Sequence, residues 1–210
     1  MILRADTASH FGALSVARSR DSGMPPVEQW ETFFHADGIL EALGCARLSG
    51  DVAEFGCGYG TFTIAAGRRI SGIVYATDID PLMVSATINR ASRTGLRNIV
   101  VEQRDFVSDG FDRPDESMSH VMLFNILHIE DPVSLLREAF RIVRAGGTVG
   151  VLHWRHDIET PRGPPLEIRP SPAQCRAWAE EVGLQWLISP DLPGSPWHWG
   201  MKFMRPVEGD

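Results

Sequence analysis

At 210 residues, 43% hydrophobic and 22% charged, the chain can bury one substantial core, which excludes a disordered or fibrous class. A net charge of −7 argues against a non-specific nucleic-acid binder, which needs clustered Lys and Arg to neutralise phosphates. Cys45, Cys57 and Cys175 are scattered, with no C-x-x-C pair, and the N-terminus lacks a signal-like apolar core. These features read as free thiols in a cytoplasmic protein, and no apolar run approaches the roughly 20 residues of a membrane span.

Residues 1–24 mix Ser, Arg, Ala and Asp without periodicity and read as loosely ordered. Val27, Trp30, Phe33 and Phe34, then Ile39, Leu40 and Leu43, recur at helical spacing until Gly44 stops the pattern. This predicts one or two short helices with an aromatic face, in an N-terminal segment over 1–44 that precedes a main domain over 45–210. Strand and helix then alternate. Strands are expected over 51–55, 72–78, 99–104, 118–125 and 148–153. Helices are expected over 61–69, from Pro81 to about Thr94, and over 132–142, with Asp80 as a cap and Gly95 as a stop. Residues 108–117 read as a polar loop, and Gly146 and Gly147 as the turn into strand five. The Pro-rich stretch 155–169 reads as a loop, and Ser171 and Pro172 open a helix that ends at Gly183. Segments 184–189 and 197–204 are two strands too close for a helical crossover, so an antiparallel pairing is expected. The alternation predicts an α/β fold with a mostly parallel sheet and helices on both faces.

Residues 52–60 read V-A-E-F-G-C-G-Y-G. A strand that ends in glycines and opens a helix lets a ligand lie against bare backbone. Glu54 before the turn argues for a ligand with a positive group or hydroxyls rather than naked phosphate. The dinucleotide fingerprint G-x-G-x-x-G would need a glycine at Thr61, whereas the third glycine is Gly60. A nicotinamide-dependent oxidoreductase is therefore disfavoured.

The pattern present, E-x-G-x-G-x-G over Glu54, Gly56, Gly58 and Gly60, resembles that of class I methyltransferases that use S-adenosylmethionine. Further matches follow in order: Asp78 closing strand two, Asp105 and Phe106 after strand three, and the strand-four block from His120 through Asn125 to His128. Arg144-Ala-Gly-Gly is similar to the R-V-L-x-P-G-G ending of small-molecule members, with Ala145 where Pro is usual. The likeness covers about residues 45–155. At superfamily level it is closest to the methyltransferases of ubiquinone and menaquinone synthesis. It implies a Rossmann-like, doubly wound, seven-stranded sheet with an antiparallel C-terminal strand and N-terminal lid helices.

The resemblance also implies roles. Asp78 would accept hydrogen bonds from the ribose hydroxyls, or else cap the next helix. Ile79 would cover the adenine ring. Asp105 and the Phe106 backbone would meet the adenine amino group, or Asp105 would be a solvated carboxylate. Glu54 would serve the amino group of the methionine part or shape the loop, with Gly56, Cys57, Gly58, Gly60 and Asn125 completing the cofactor site. The acceptor would sit over the ends of strands four and five, near His128, His153, Trp154 and Arg155, beneath Trp30 and Phe34. His128 and His153 are candidate bases, and His128 reads equally as a structural residue. His153-x-x-His156 lacks a third ligand, so no metal is expected. Arg155, Arg162 and Arg169 with Glu167 form either a solvated loop or an anion site. The expected partner is a small-molecule methyl acceptor. The aromatic N-terminal helices and Trp197 and Trp199 read as acceptor surface, core, or a homodimer contact. A cofactor-binding sensor or assembly subunit without catalysis is the alternative reading.

Overall fold

The computed structural model describes residues 24–46 and 48–207. The loose order expected for residues 1–23 falls outside them. The strands are β1 (Val52–Phe55), β2 (Val74–Asp78), β3 (Ile99–Gln103), β4 (Met118–Phe124), β5 (Val143–Trp154), β6 (Gln185–Ile188) and β7 (His198–Met204). The helices are α1 (Val27–Trp30), α2 (Ala36–Ala42), α3 (Thr61–Gly67), α4 (Pro81–Thr94), α5 (Phe106–Asp109), α6 (Pro132–Ile142) and α7 (Pro172–Glu181).

β1 and β4 are buried along their whole length, as central strands covered on both faces are, and they carry Glu54, Ser119 and His120 inward among apolar residues. They pair in parallel at the middle of a seven-stranded sheet of order β3-β2-β1-β4-β5-β7-β6. Only β7 runs against its neighbours, antiparallel to both β5 and β6. This is the Rossmann-like sheet with an antiparallel C-terminal strand.

Side-chain alternation along each strand splits the core in two. Val52, Val74, Met122, Phe124 and Leu152 pack with Trp30, Leu40 and Phe62 on one face. Phe55, Val121, Leu123, Val149 and Val151 pack with Leu135 and Leu136 of α6 and Ala179 of α7 on the other. The N-terminal helices therefore cover one face of the sheet with Trp30, Phe33, Phe34, Ile39 and Leu40, all buried.

Local chemistry sets the helix ends. The Asp80 carboxylate accepts from Leu82 N at 2.8 Å with Pro81 in the first turn, and Gly95 at φ 71° ends α4. Asp131 accepts from Ser134 N at 3.0 Å to open α6. Ser171 and Gln174 form a reciprocal capping box at α7.

Three details differ from the sequence expectation. β5 begins at Val143, not at Thr148. Its pairing slips between Met118↔Val143 and His120↔Thr148, so Gly146 (φ 70°) lies in an irregularity inside one strand rather than in a turn before it. Asp105 caps a single helical turn, α5, through Val107 N and Ser108 N at 3.1 and 3.3 Å. One turn carries no hydrophobic period, so the sequence shows no helix there. A short 3₁₀ turn, Leu166–Ile168, interrupts the Pro-rich loop. Among the described residues no helix is long and apolar enough to cross a membrane.

The chain winds outward from β1 to β3, then returns to place β4 on the other side of β1. Such a reversal opens a crevice beyond the carboxyl ends of the central strands.

Candidate active site

That crevice holds a cavity of about 380 Å³, a size typical of small-molecule sites. Its floor is the glycine turn. Gly56, Gly58 and Gly60 all have positive φ (76°, 51° and 75°), which L side chains resist. Gly56 N and Cys57 N both donate to Thr77 O at 2.9 Å, bending the chain across the end of β2. Gly56 and Gly58 line the cavity. Gly60 does not. It faces α4, where an added Cβ would meet Thr87 at 2.9 Å, and its place is close packing of the turn on that helix.

Carboxylates ring one side. Asp78, at the tip of β2, accepts from Gly58 N at 2.8 Å and from Asp80 N at 3.0 Å, so it ties the glycine turn to the start of α4. Burial raises its pKa above the ordinary carboxylate value, against the lowering effect of those two amides. Glu54 is 2% exposed on β1 and accepts from the Thr63 hydroxyl. Burial pushes it up to about 8; Thr63 works against that rise and the nearby Asp78 charge adds to it. Glu54 is therefore protonated at neutral pH when no cation stands beside it. Asp105 lines the cavity next to Phe106, and Ile79 lies between Asp78 and Asp80. Cys57 lines it too, but burial raises its thiol far above neutral pH, which removes it as a nucleophile.

At the end of β4, Asn125 adopts φ 57° while its amide donates to Leu152 O at 2.7 Å. Its side chain lines the cavity, and its Oδ1 is buried with no hydrogen-bond partner among the described residues. A buried acceptor left unpaired costs about 1–3 kcal/mol, which a ligand donor would recover.

The other side is aromatic. Trp30, Phe62, Phe124 and Ile126 line it together with His128. Phe62 and Phe124 meet edge to face with centroids 4.7 Å apart. Several proposed acceptor residues lie elsewhere. Phe34 sits a layer behind, against Trp30, Phe62, Trp154 and His198. Trp154 is 1% exposed and does not line the cavity. Arg155 is outside as well, its guanidinium paired with Asp157 at 2.6 Å. Arg169 is buried and donates to the carbonyls of Pro164, Arg155 and Arg162. Among the described residues, no Lys or Arg lines the cavity. His153 is fully buried beneath His128 and touches it, while His156 is on the exposed loop.

Sequence reasoning missed Phe62, Phe124 and Met24 on the aromatic side, and Met83 and Val107 near Ile79. Thr61 and Phe62 form the first turn after Gly60, where a helix N-terminus faces a ligand, so their position carried a usable signal. Met24, Met83 and Val107 carried none, because apolar residues at such places read equally as core.

Residues 52–147, from β1 into β5, match the family of a methyltransferase domain. Over that stretch the chain is similar to methyltransferase domains. The chain is 36% identical over 116 residues to a ribosomal protein L11 methyltransferase of Methylococcus capsulatus, a stretch covering 52% of this chain and 36% of that protein. It is 31% identical over 101 residues to the aklanonic acid methyltransferase DauC of a Streptomyces species, covering 47% of this chain and 45% of that one. The chain spans less than half the length of these curated relatives in the matched stretches. A solved SAM-dependent methyltransferase from Aquifex aeolicus shares the fold at TM-score 0.74 and 21% identity, over 86% of this chain and 94% of that one.

Proposed function

We propose that the protein transfers a methyl group from S-adenosylmethionine to a small organic acceptor by in-line displacement. The observation that carries this reading is the convergence of Glu54, Gly56, Gly58, Asp78, Asp105 and Asn125 on one cavity, beside an aromatic compartment that His128 also lines.

The residues fit the cofactor. Asp78 has the acceptor oxygens that a ribose diol needs, while its other bonds hold the glycine turn in place. Ile79 and Val107 offer apolar cover for a purine, with Asp105 at the position for its amino group. Glu54 and the unpaired Asn125 oxygen suit an ammonium group. When bound, the cofactor supplies an electrophilic methyl carbon on a sulfonium. The protein must then hold the nucleophile in line with that carbon and exclude water. Trp30, Phe62 and Phe124 can do both, and aromatic faces favour a nearby cation.

The acceptor is read as small because the aromatic residues share one cavity of about 380 Å³ with the carboxylates assigned to the cofactor. The two curated relatives take acceptors as different as a ribosomal protein and aklanonic acid, so kinship alone does not choose. Three buried free thiols support a reducing, cytosolic setting. Calorimetry with S-adenosylhomocysteine tests the cofactor reading. Micromolar binding that collapses in Asp78→Ala is expected, and absence of binding to the wild type would sink it. Tight binding without turnover over a broad panel of phenols, enols and amines would favour the sensor reading instead.

A further inference from the structure

Two histidines, His128 on the loop after β4 and His153 near the end of β5, form a directed chain. His153 Nδ1 lies 3.2 Å from Trp154 O, and His153 Nε2 lies 3.2 Å from His128 Nδ1. A carbonyl only accepts, so His153 carries its proton on Nδ1 and donates it to Trp154 O. His153 is held neutral. It is fully buried, and His128, His198 and the Arg169 cation, the titratable groups around it, all oppose a second positive charge. A neutral ring with a proton on Nδ1 presents a lone pair at Nε2. The group facing that lone pair is His128 Nδ1, which must therefore be N–H. Trp199, opposite His153 in the β5–β7 register, stacks on its ring at 6.0 Å and 25° and keeps it from turning.

We propose that His153 is a positioning residue that locks His128, a ring lining the cavity, in the Nδ1–H tautomer, so that Nε2 is the atom that takes the acceptor's proton. This rests on the methyltransferase reading. The acceptor's nucleophilic atom forms the new bond to the methyl carbon as the carbon–sulfur bond breaks, and the sulfur leaves as a neutral thioether. The proton carried by the nucleophile passes to His128 Nε2. The arrangement selects a class of acceptor. A nucleophile that must lose a proton, such as a phenol or enol hydroxyl, needs this base, whereas a tertiary amine does not. With no Lys or Arg among the described lining residues, an uncharged acceptor body fits the aromatic wall better than an anion.

Two-bond proton–nitrogen correlation spectra of the full chain, labelled with nitrogen-15, read the tautomer directly and need no acceptor. His128→Gln assigns the ring. In the wild type, His128 is expected as the Nδ1–H form, the minor tautomer of free imidazole. His153→Leu removes the acceptor at His128 Nδ1 and should return His128 to the Nε2–H form. His153→Gln offers an amide oxygen in place of Nε2 and should preserve the Nδ1–H form. An Nε2–H ring in the wild type, or an unchanged tautomer in a folded His153→Leu, overturns the proposal, and the wild-type spectrum decides even where the leucine variant fails to fold. Calorimetry with S-adenosylhomocysteine on the same samples separates the two readings. A wrong tautomer with intact binding removes the relay alone, and failed binding in the wild type removes the proton-transfer role while the tautomer result stands.

Discussion

The two halves of the cavity are built by different rules. On the β1–β3 side, each functional group sits at a strand tip and is fixed by hydrogen bonds to backbone: Gly56 and Gly58 after β1 are tied to Thr77 and Asp78 at the end of neighbouring β2, and Asp105 after β3 holds the amides just beyond it. On the β4–β5 side, the wall is assembled from α1, α3, the end of β4 and the loop after it, and each wall residue leans on a second layer. The first half depends on local geometry and charge. The second depends on packing, so its members serve stability and recognition together.

The sharpest way to break that contrast is Phe34→Ala. Phe34 contacts Trp30, Phe62, Trp154 and His198 and is 8% exposed. Its truncation should cost about 3–5 kcal/mol in denaturant unfolding while leaving cofactor affinity nearly intact. A loss below about 1 kcal/mol would mean that Phe34 is pocket surface rather than core.

Asp78→Ala is the matching test on the other side, read as affinity. Two charge-assisted hydrogen bonds to the ribose, at about 1.5 kcal/mol each, correspond to a loss of roughly 100-fold for S-adenosylhomocysteine. Asp78→Asn keeps one acceptor oxygen and should lose less. Because Gly58 N and Asp80 N also rely on Asp78, melting should fall modestly in both variants.

Glu54 joins the halves through pH. Its folded value, about 8, lies above the ordinary 4.5, so the folded protein keeps a proton that the unfolded chain has lost. Stability from this group is fully present below the ordinary value and declines as pH rises towards the folded one, by up to about 1.4 kcal/mol per unit. A cofactor ammonium beside it reverses the preference, so binding expels the proton. Affinity for S-adenosylhomocysteine should rise with pH by up to about tenfold per unit from roughly pH 6 to 8. Calorimetry in buffers of different ionisation enthalpy counts the released proton, and Glu54→Gln should flatten the slope.

This contrast also explains what the sequence made legible. The succession of strands and helices along the chain, the caps at Asp80 and Ser171, and the strand-tip positions of Asp78 and Asp105 follow from residues within a few places of one another. Trp154 and Arg155 were assigned to the pocket because they follow His153 at a strand end. The side chain of Trp154, however, joins the buried cluster with Trp30 and Phe33, and Arg155 finds a carboxylate two residues on. Face and partner are decided by α1 and by the loop over 155–169, which no local pattern encodes. The one-turn helix α5 escaped for a related reason, since a single turn gives no period.

Arg155→Ala should therefore have the smallest effect, and its smallness is informative. The guanidinium donates to both carboxylate oxygens of Asp157, at 3.0 and 2.6 Å, and that exposed pair holds Asp157 down to about 2. Exposed pairs of this kind contribute little, because solvent screens them and two flexible side chains must be ordered to form them. Melting and cofactor affinity should match the wild type within error. Turnover is the discriminating measurement. If the aromatic wall with His128 recognises an uncharged acceptor, removing this cation changes neither kcat nor KM. A rise in KM without a change in kcat would instead show that Arg155 swings from Asp157 onto an anionic acceptor, and the packing-built half of the site would then need a charge supplied from the loop.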